Sequence, residues 1–274
     1  MATVTQAGAA AKPVAATPAR RESRFVPVLL GGGFLVVVAV IWQVAASTGL
    51  VNDFLTSSPQ LIAESLVEQI GSGLLLRSVA ISALELVIGF ALAAVVGVVL
   101  GLLMGRYRHV EYAIEPYVWL LYSAPVIALF PLLVLMLGLG SPTVIAITFL
   151  VSVVPVIVNS MQGVRNVDAK LLQVARSFGA GEAAMLRKVV LPASVPTIMA
   201  GLRLGVGRAL VGVVVGEFFA GDGGIGFNIS YFAGRLGTTD VLASVFVVIV
   251  AGVALNLLAR RLERLADSWR ADLG

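Results

Sequence analysis

From about residue 25 onward, long apolar runs alternate with short polar or glycine- and proline-rich stretches. The runs predict six segments of spanning length, at 25–46, 78–104, 111–137, 142–158, 197–219 and 241–258. Segment 25–46 holds 22 residues, and at about 1.5 Å per residue these cover a hydrocarbon core of about 30 Å. A secretory signal core is shorter and is followed by a small-residue cleavage site, so this segment reads as an uncleaved anchor. In 78–104, Gly97, Gly101 and Gly105 recur every four residues and leave a groove for close approach by another helix of the chain. Segment 111–137 meets Pro125 and Pro131, each of which lacks a backbone donor and clashes with the preceding turn, so a kinked or broken helix is expected. Such a break survives in a bilayer only against protein or water, which makes the segment a candidate pathway wall. Two more glycine pairs, Gly201/Gly205 and Gly212/Gly216, mark 197–219, and the run Gly221 to Gly226 reads as an outer-loop hinge.

Composition and charge sharpen this pattern. The 274 residues are 59% hydrophobic and 12% charged, more apolar than a soluble core needs. The formal net charge of +4 raises the question of nucleic-acid binding, which the distribution answers in favour of membrane topology. Fifteen of the nineteen Lys and Arg residues fall in four places: the tail 1–24, the turn after the second span, the insert between the fourth and fifth spans, and the C-terminal tail. The positive-inside rule therefore places both termini and the insert in the cytoplasm. Residues 1–24, rich in Ala, Thr and Pro, read as a disordered tail, and 261–274 as a basic tail. There is no cysteine and His109 is the only histidine, which excludes disulfides, thiolate metal sites and a histidine metal cluster. No lysine follows a glycine-rich turn and precedes Ser or Thr, so no phosphate-binding P-loop is present.

The insert, 162–193, carries the most specific pattern. Leu171, Leu172, Ala175 and Phe178 fall at offsets 0, 1, 4 and 7 and predict one apolar stripe on a short helix. Gly179 stands where a helix commonly ends in a left-handed residue. A second helix is expected from Glu182 to Val190, with Arg187 and Lys188 in its last turn and Pro192 as its stop. Gln173, Val174 and Ala175, a gap of three, Gly179, a gap of nine, then Val189 and the pair Leu191 and Pro192 reproduce a known spacing. It resembles the cytoplasmic loop of permease subunits of binding-protein-dependent ABC importers, except that Gln173 stands where that family has an acid.

SAPVIALFPLLVLMLGLG, VGEFFAGDGGIG and RRLERLADSWR extend the resemblance to the nitrate, sulfonate and taurine subgroup over most of 78–270. The resemblance implies an all-α integral membrane protein with six transmembrane helices in the bacterial inner membrane. It further implies a coupling helix in the insert, a second permease copy, two cytoplasmic ATPase subunits that bind the ATP and Mg, an extracytoplasmic substrate-binding protein, and a small, anionic solute moved by alternating access. No cofactor belongs to this chain itself, and it performs no bond chemistry.

Four ionisable residues lie within the spans: Glu85, Arg203, Arg208 and Glu217. Such groups face the bundle interior, a polar pathway or the interface. Counting residues from the helix ends puts Glu85 and Arg208 at similar depth, and an ion pair between them is the expectation, with Arg203 snorkelling to the inner interface and Glu217 to the outer one. Tyr122 and Ser123, beside the proline break, are candidate path residues, with helix capping as the alternative use. An ion-gradient-driven secondary transporter and a non-transporting scaffold subunit remain as rival classes. The first should show inverted repeats, and neither accounts for the insert.

Overall fold

The computed structural model describes residues 25–49 and 56–271, among which the regular structure is entirely helical. The tail 1–24 lies outside the described residues. The order is α1 (Phe25–Ser47), α2 (Pro59–Gly71), α3 (Leu74–Arg106), α4 (Arg108–Ser123), α5 (Phe130–Leu137), α6 (Ser141–Arg165), α7 (Ala169–Ser177), α8 (Glu182–Met185), α9 (Leu191–Ala220), α10 (Ile225–Gly234) and α11 (Thr238–Ala271). Among the described residues, five helical stretches are long and apolar enough to cross a bilayer, and the bent pair α4–α5, counted as one broken span, makes a sixth.

The break in the third span falls where Pro125 predicts it. α4 ends at Ser123, a 3-10 turn occupies Val126–Leu129, α5 begins at Phe130, and the two halves are bent by 95°. Pro131 does not break the span. It sits in the first turn of α5, where a missing N–H costs nothing.

α6 is the centre of the bundle, clasped between two glycine-lined helices. From α3, Gly89, Gly97, Gly101 and Gly105 lie against Thr148, Val156, Ser160 and Val164. From α9, Gly201, Gly205, Gly212 and Gly216 meet the same helix at Asn159, Val156, Thr148 and Val144, so Thr148 and Val156 are wedged between both ridges. The approach is too close for any side chain: a Cβ at Gly101 would stand 2.5 Å from that of Ser160, and one at Gly201 2.6 Å from that of Asn159. The glycine repeat thus serves packing within the chain. Two hydroxyls on the clasped helix bond back to their own backbone, Thr148 to the Val144 carbonyl at 2.8 Å and Ser152 to the Thr148 carbonyl at 2.5 Å, whereas the buried Ser160 hydroxyl facing Gly101 has no partner among the described residues.

The remaining elements pack around this clasp. At the end opposite the insert, α2 rests on the start of α11, where the Ser65 hydroxyl donates to Asp240 at 2.6 Å. α1 joins through α2, with the Gln60 N–H donating to the Gln43 side-chain oxygen at 3.1 Å. α11 runs past the expected 258 to Ala271, because the segment after the span is built from strong helix formers with no Pro or Gly.

One expectation about the insert is overturned. Pro192 does not end the second insert helix; α8 passes through a π turn, Leu186–Val190, directly into α9. The Leu191 N–H donates to the Leu186 carbonyl, five residues back, and this wide turn accommodates the Pro192 ring inside a continuous helix, with one carbonyl of the preceding turn left without its helical donor. The fifth span is therefore continuous with the insert.

Candidate functional site

The insert is built as a capped helix folded back on the bundle. Asp168 caps α7 by accepting from the Lys170 N–H at 2.8 Å. At its other end Gly179 takes φ +74°, the Gly179 N–H reaches the Arg176 carbonyl, and the Ala180 N–H reaches the Ala175 carbonyl, the paired bonds of a Schellman stop. The predicted single stripe divides into two faces. Leu172 packs with Val164, Met185 and Val190 against the body, and Ala175 is half-buried. Leu171, Val174 and Phe178, spaced by three and four residues, point outward, Phe178 at 87% exposure. A helix lying against a bundle needs an inner face as well as any outer one, and the offsets alone do not separate them.

Of the other pattern residues, Gln173 is exposed and its side chain has no polar partner among the described residues. Val189 and Pro192 are half-buried, and Leu191 lies at the exposed edge. Two ion pairs, which the sequence shows only as topology charges, brace this end. Arg106 at the close of α3 pairs with Glu182 at the start of α8, and Arg165 at the close of α6 pairs with Glu111 of α4. No local signal links positions so far apart in the chain.

The expected ion pair between Glu85 and Arg208 does not form. Residues 208 and 217 are nine apart on α9, about 180° round the helix, so they face opposite ways. Glu217, fully buried, faces α3 and lies beside Glu85, itself 2% exposed and next to Ser141. Glu217 also does not snorkel. It accepts from the Gly226 N–H at 2.6 Å, and the loop 221–226 wraps around it so tightly that a Cβ on Gly224 would fall 2.2 Å from its carboxylate. The glycine run is thus a cradle for a buried carboxyl rather than a free hinge. Arg203 pairs with Glu263 of α11 at 2.8 Å.

Arg208 turns instead toward the broken span. Residues on either side of Pro125, the middle of α6 and one face of α9 line a half-open cavity of about 450 Å³, with Tyr122, Val151, Pro155, Val211 and the exposed Arg208 among its walls. Arg208 is its only charged side chain. Ser123, by contrast, donates to the Trp119 and Leu120 carbonyls and closes the end of α4. No group of three or more His, Cys, Asp or Glu side chains suited to a metal occurs among the described residues.

Comparison with known proteins agrees with this architecture. Residues 97–271 match the family described as binding-protein-dependent transport system inner membrane component. SsuC of Bacillus subtilis (strain 168), named as an aliphatic sulfonates transport permease protein, is 33% identical over 85% of this chain and 85% of its own length. TauC of Escherichia coli (strain K12), a taurine transport system permease protein, is 29% identical over 90% and 91%. RibX of Chloroflexus aurantiacus, a riboflavin transport system permease protein, is 30% identical over 87% and 89%. Among solved structures, a chain of the MetNI methionine ABC transporter in an inward-facing conformation superposes with a TM-score of 0.64 at 17% identity, covering 72% of this chain and 98% of that one. At that identity the likeness is one of fold. On the family match and these long relatives, the chain belongs to the binding-protein-dependent transport system inner membrane components and is a multi-pass transmembrane permease subunit of an ABC importer.

Proposed function

We propose that this permease imports a small sulfonate-like anion, works as a pair of identical copies, and is driven from the cytoplasm by two ATPase subunits that engage the insert 162–193. The observation that supports the ATPase contact is the outward apolar face of α7, Leu171, Val174 and Phe178, on a helix braced from behind by Leu172 and by the Arg106–Glu182 pair. An exposed apolar patch at a water-facing end calls for a partner surface. Because α8 runs through the π turn directly into α9, a push on α7, which packs on α8 and the π turn through Leu172, is passed along that helix to the wall of the Arg208 cavity. The clasp of α3, α6 and α9 then shifts as one body between two states, each open to one side. The basic residues of this end, with those of the C-terminal helix, support its cytoplasmic placement and that of both termini. An extracytoplasmic binding protein delivers the solute to the opposite end, where α2, α10 and the loop 221–226 lie. The sulfonate assignment is drawn from SsuC and TauC, the relatives named for such solutes.

The test is uptake of labelled ethanesulfonate into vesicles that hold the full chain with the ATPase and binding protein encoded beside it. ATP inside the ATPase compartment should drive accumulation, and dissipating ion gradients should leave it unchanged. Uptake that ignores ATP and collapses with an ion gradient contradicts the proposal and favours a secondary transporter.

A further inference from the structure

A guanidinium near the middle of a spanning helix is costly unless it meets a counter-charge, water or a ligand. Among the described residues no acid or hydrogen-bond acceptor engages Arg208, although Arg106, Arg165 and Arg203 each hold a carboxylate. Its neighbours in the cavity are apolar apart from Tyr122. Two of the lining residues, Leu121 and Val151, each lie four positions before a proline, Pro125 and Pro155, so their carbonyls lack the usual helical donor. The cavity therefore offers one positive charge and a phenol among apolar walls, next to two proline breaks, and its volume of about 450 Å³ is that of a small-ligand pocket.

We propose that Arg208 is an anion subsite at the broken span, selective for short organic monoanions over dianions. This rests on the functional reading above and adds to it the residue and the charge rule. The planar fork of the guanidinium bonds two oxygens of a sulfonate or carboxylate at once. One bound negative charge neutralises Arg208, and a second meets no further cation among the residues of this chain that line the cavity. A single charge-assisted contact also suits a pathway, where a solute must be held and then let go.

The experiment is equilibrium dialysis of labelled ethanesulfonate against the full chain in complex with its ATPase subunits, without ATP or binding protein. The wild type is expected to bind it, Arg208→Gln about tenfold more weakly, and Arg208→Lys in between, since the charge remains but the fork is lost. Methanesulfonate should compete, and sulfate about tenfold less well. Equal binding by Arg208→Gln overturns the subsite, as does equal competition by sulfate. The competition is read on the wild type, so it decides the matter even if the Gln variant fails to assemble. ATP-driven uptake that fails while Arg208-dependent binding persists defeats the functional reading alone; normal uptake with Arg208-independent binding defeats the subsite alone.

Discussion

Single residues set this fold where two backbones come closest. Gly101 leaves no room for a Cβ against Ser160, and Gly224 combines φ +98° with a carboxylate packed on its Cα. Gly101→Leu is therefore expected to lower the stability of the detergent-solubilised chain by about 1–3 kcal/mol through overpacking, read as a fall in its melting midpoint. An unchanged midpoint would mean that α3 and α6 are not in contact along this ridge. Gly224→Ala should likewise destabilise the loop 221–226 and expose Glu217, which faster hydrogen exchange at Gly226, the donor to that carboxylate, would report. The glycine ridges are legible in the sequence because their period of four is local. The carboxyl cradle is not, since nothing near Glu217 in the sequence says that a glycine loop folds back over it.

The elements follow from simple rules where the rules are local, and depart from them where register between distant segments decides. Pro125 breaks the third span as its chemistry requires, and Gly179 closes α7 in the left-handed region. Pro192, read the same way, misleads, because a π turn widens the helix just before it and lets the ring stand within a continuous helix. The expected Glu85–Arg208 pair fails for a related reason. Depth along a helix can be counted from its ends, but the face it presents depends on which residues its neighbours bury, and Ala209, Val213 and Glu217 turn Arg208 away from α3. At this scale the brace between α3 and α8 can be tested by charge exchange. Arg106→Glu and Glu182→Arg should each reduce ATP-driven uptake several-fold, and the double variant should recover most of it. Additive losses would show that the two side chains do not act on each other.

The whole molecule reads as a rigid clasp, α3 and α9 closed on α6, carrying a broken span on one flank and a handle at its basic end. Its class and the number of its spans are visible in the apolar runs, while the clasp itself emerges only when the glycine ridges are seen to meet a common helix. The second helix of the handle, α8, joins α9 without a break, and α7 packs on it through Leu172, so a force applied at α7 reaches α9 and the cavity wall through that contact. That the exposed apolar face of α7 is where the ATPase grips the permease is the claim on which this transmission depends. It is tested most directly by capturing the cognate ATPase on immobilised full chain bearing Phe178→Glu, a change at an 87% exposed position that leaves the inner face of α7 untouched. The account predicts a variant with wild-type melting behaviour whose capture of the ATPase falls at least about tenfold, the loss expected when a buried aromatic anchor becomes a charge. Capture equal to that of the wild type would contradict it.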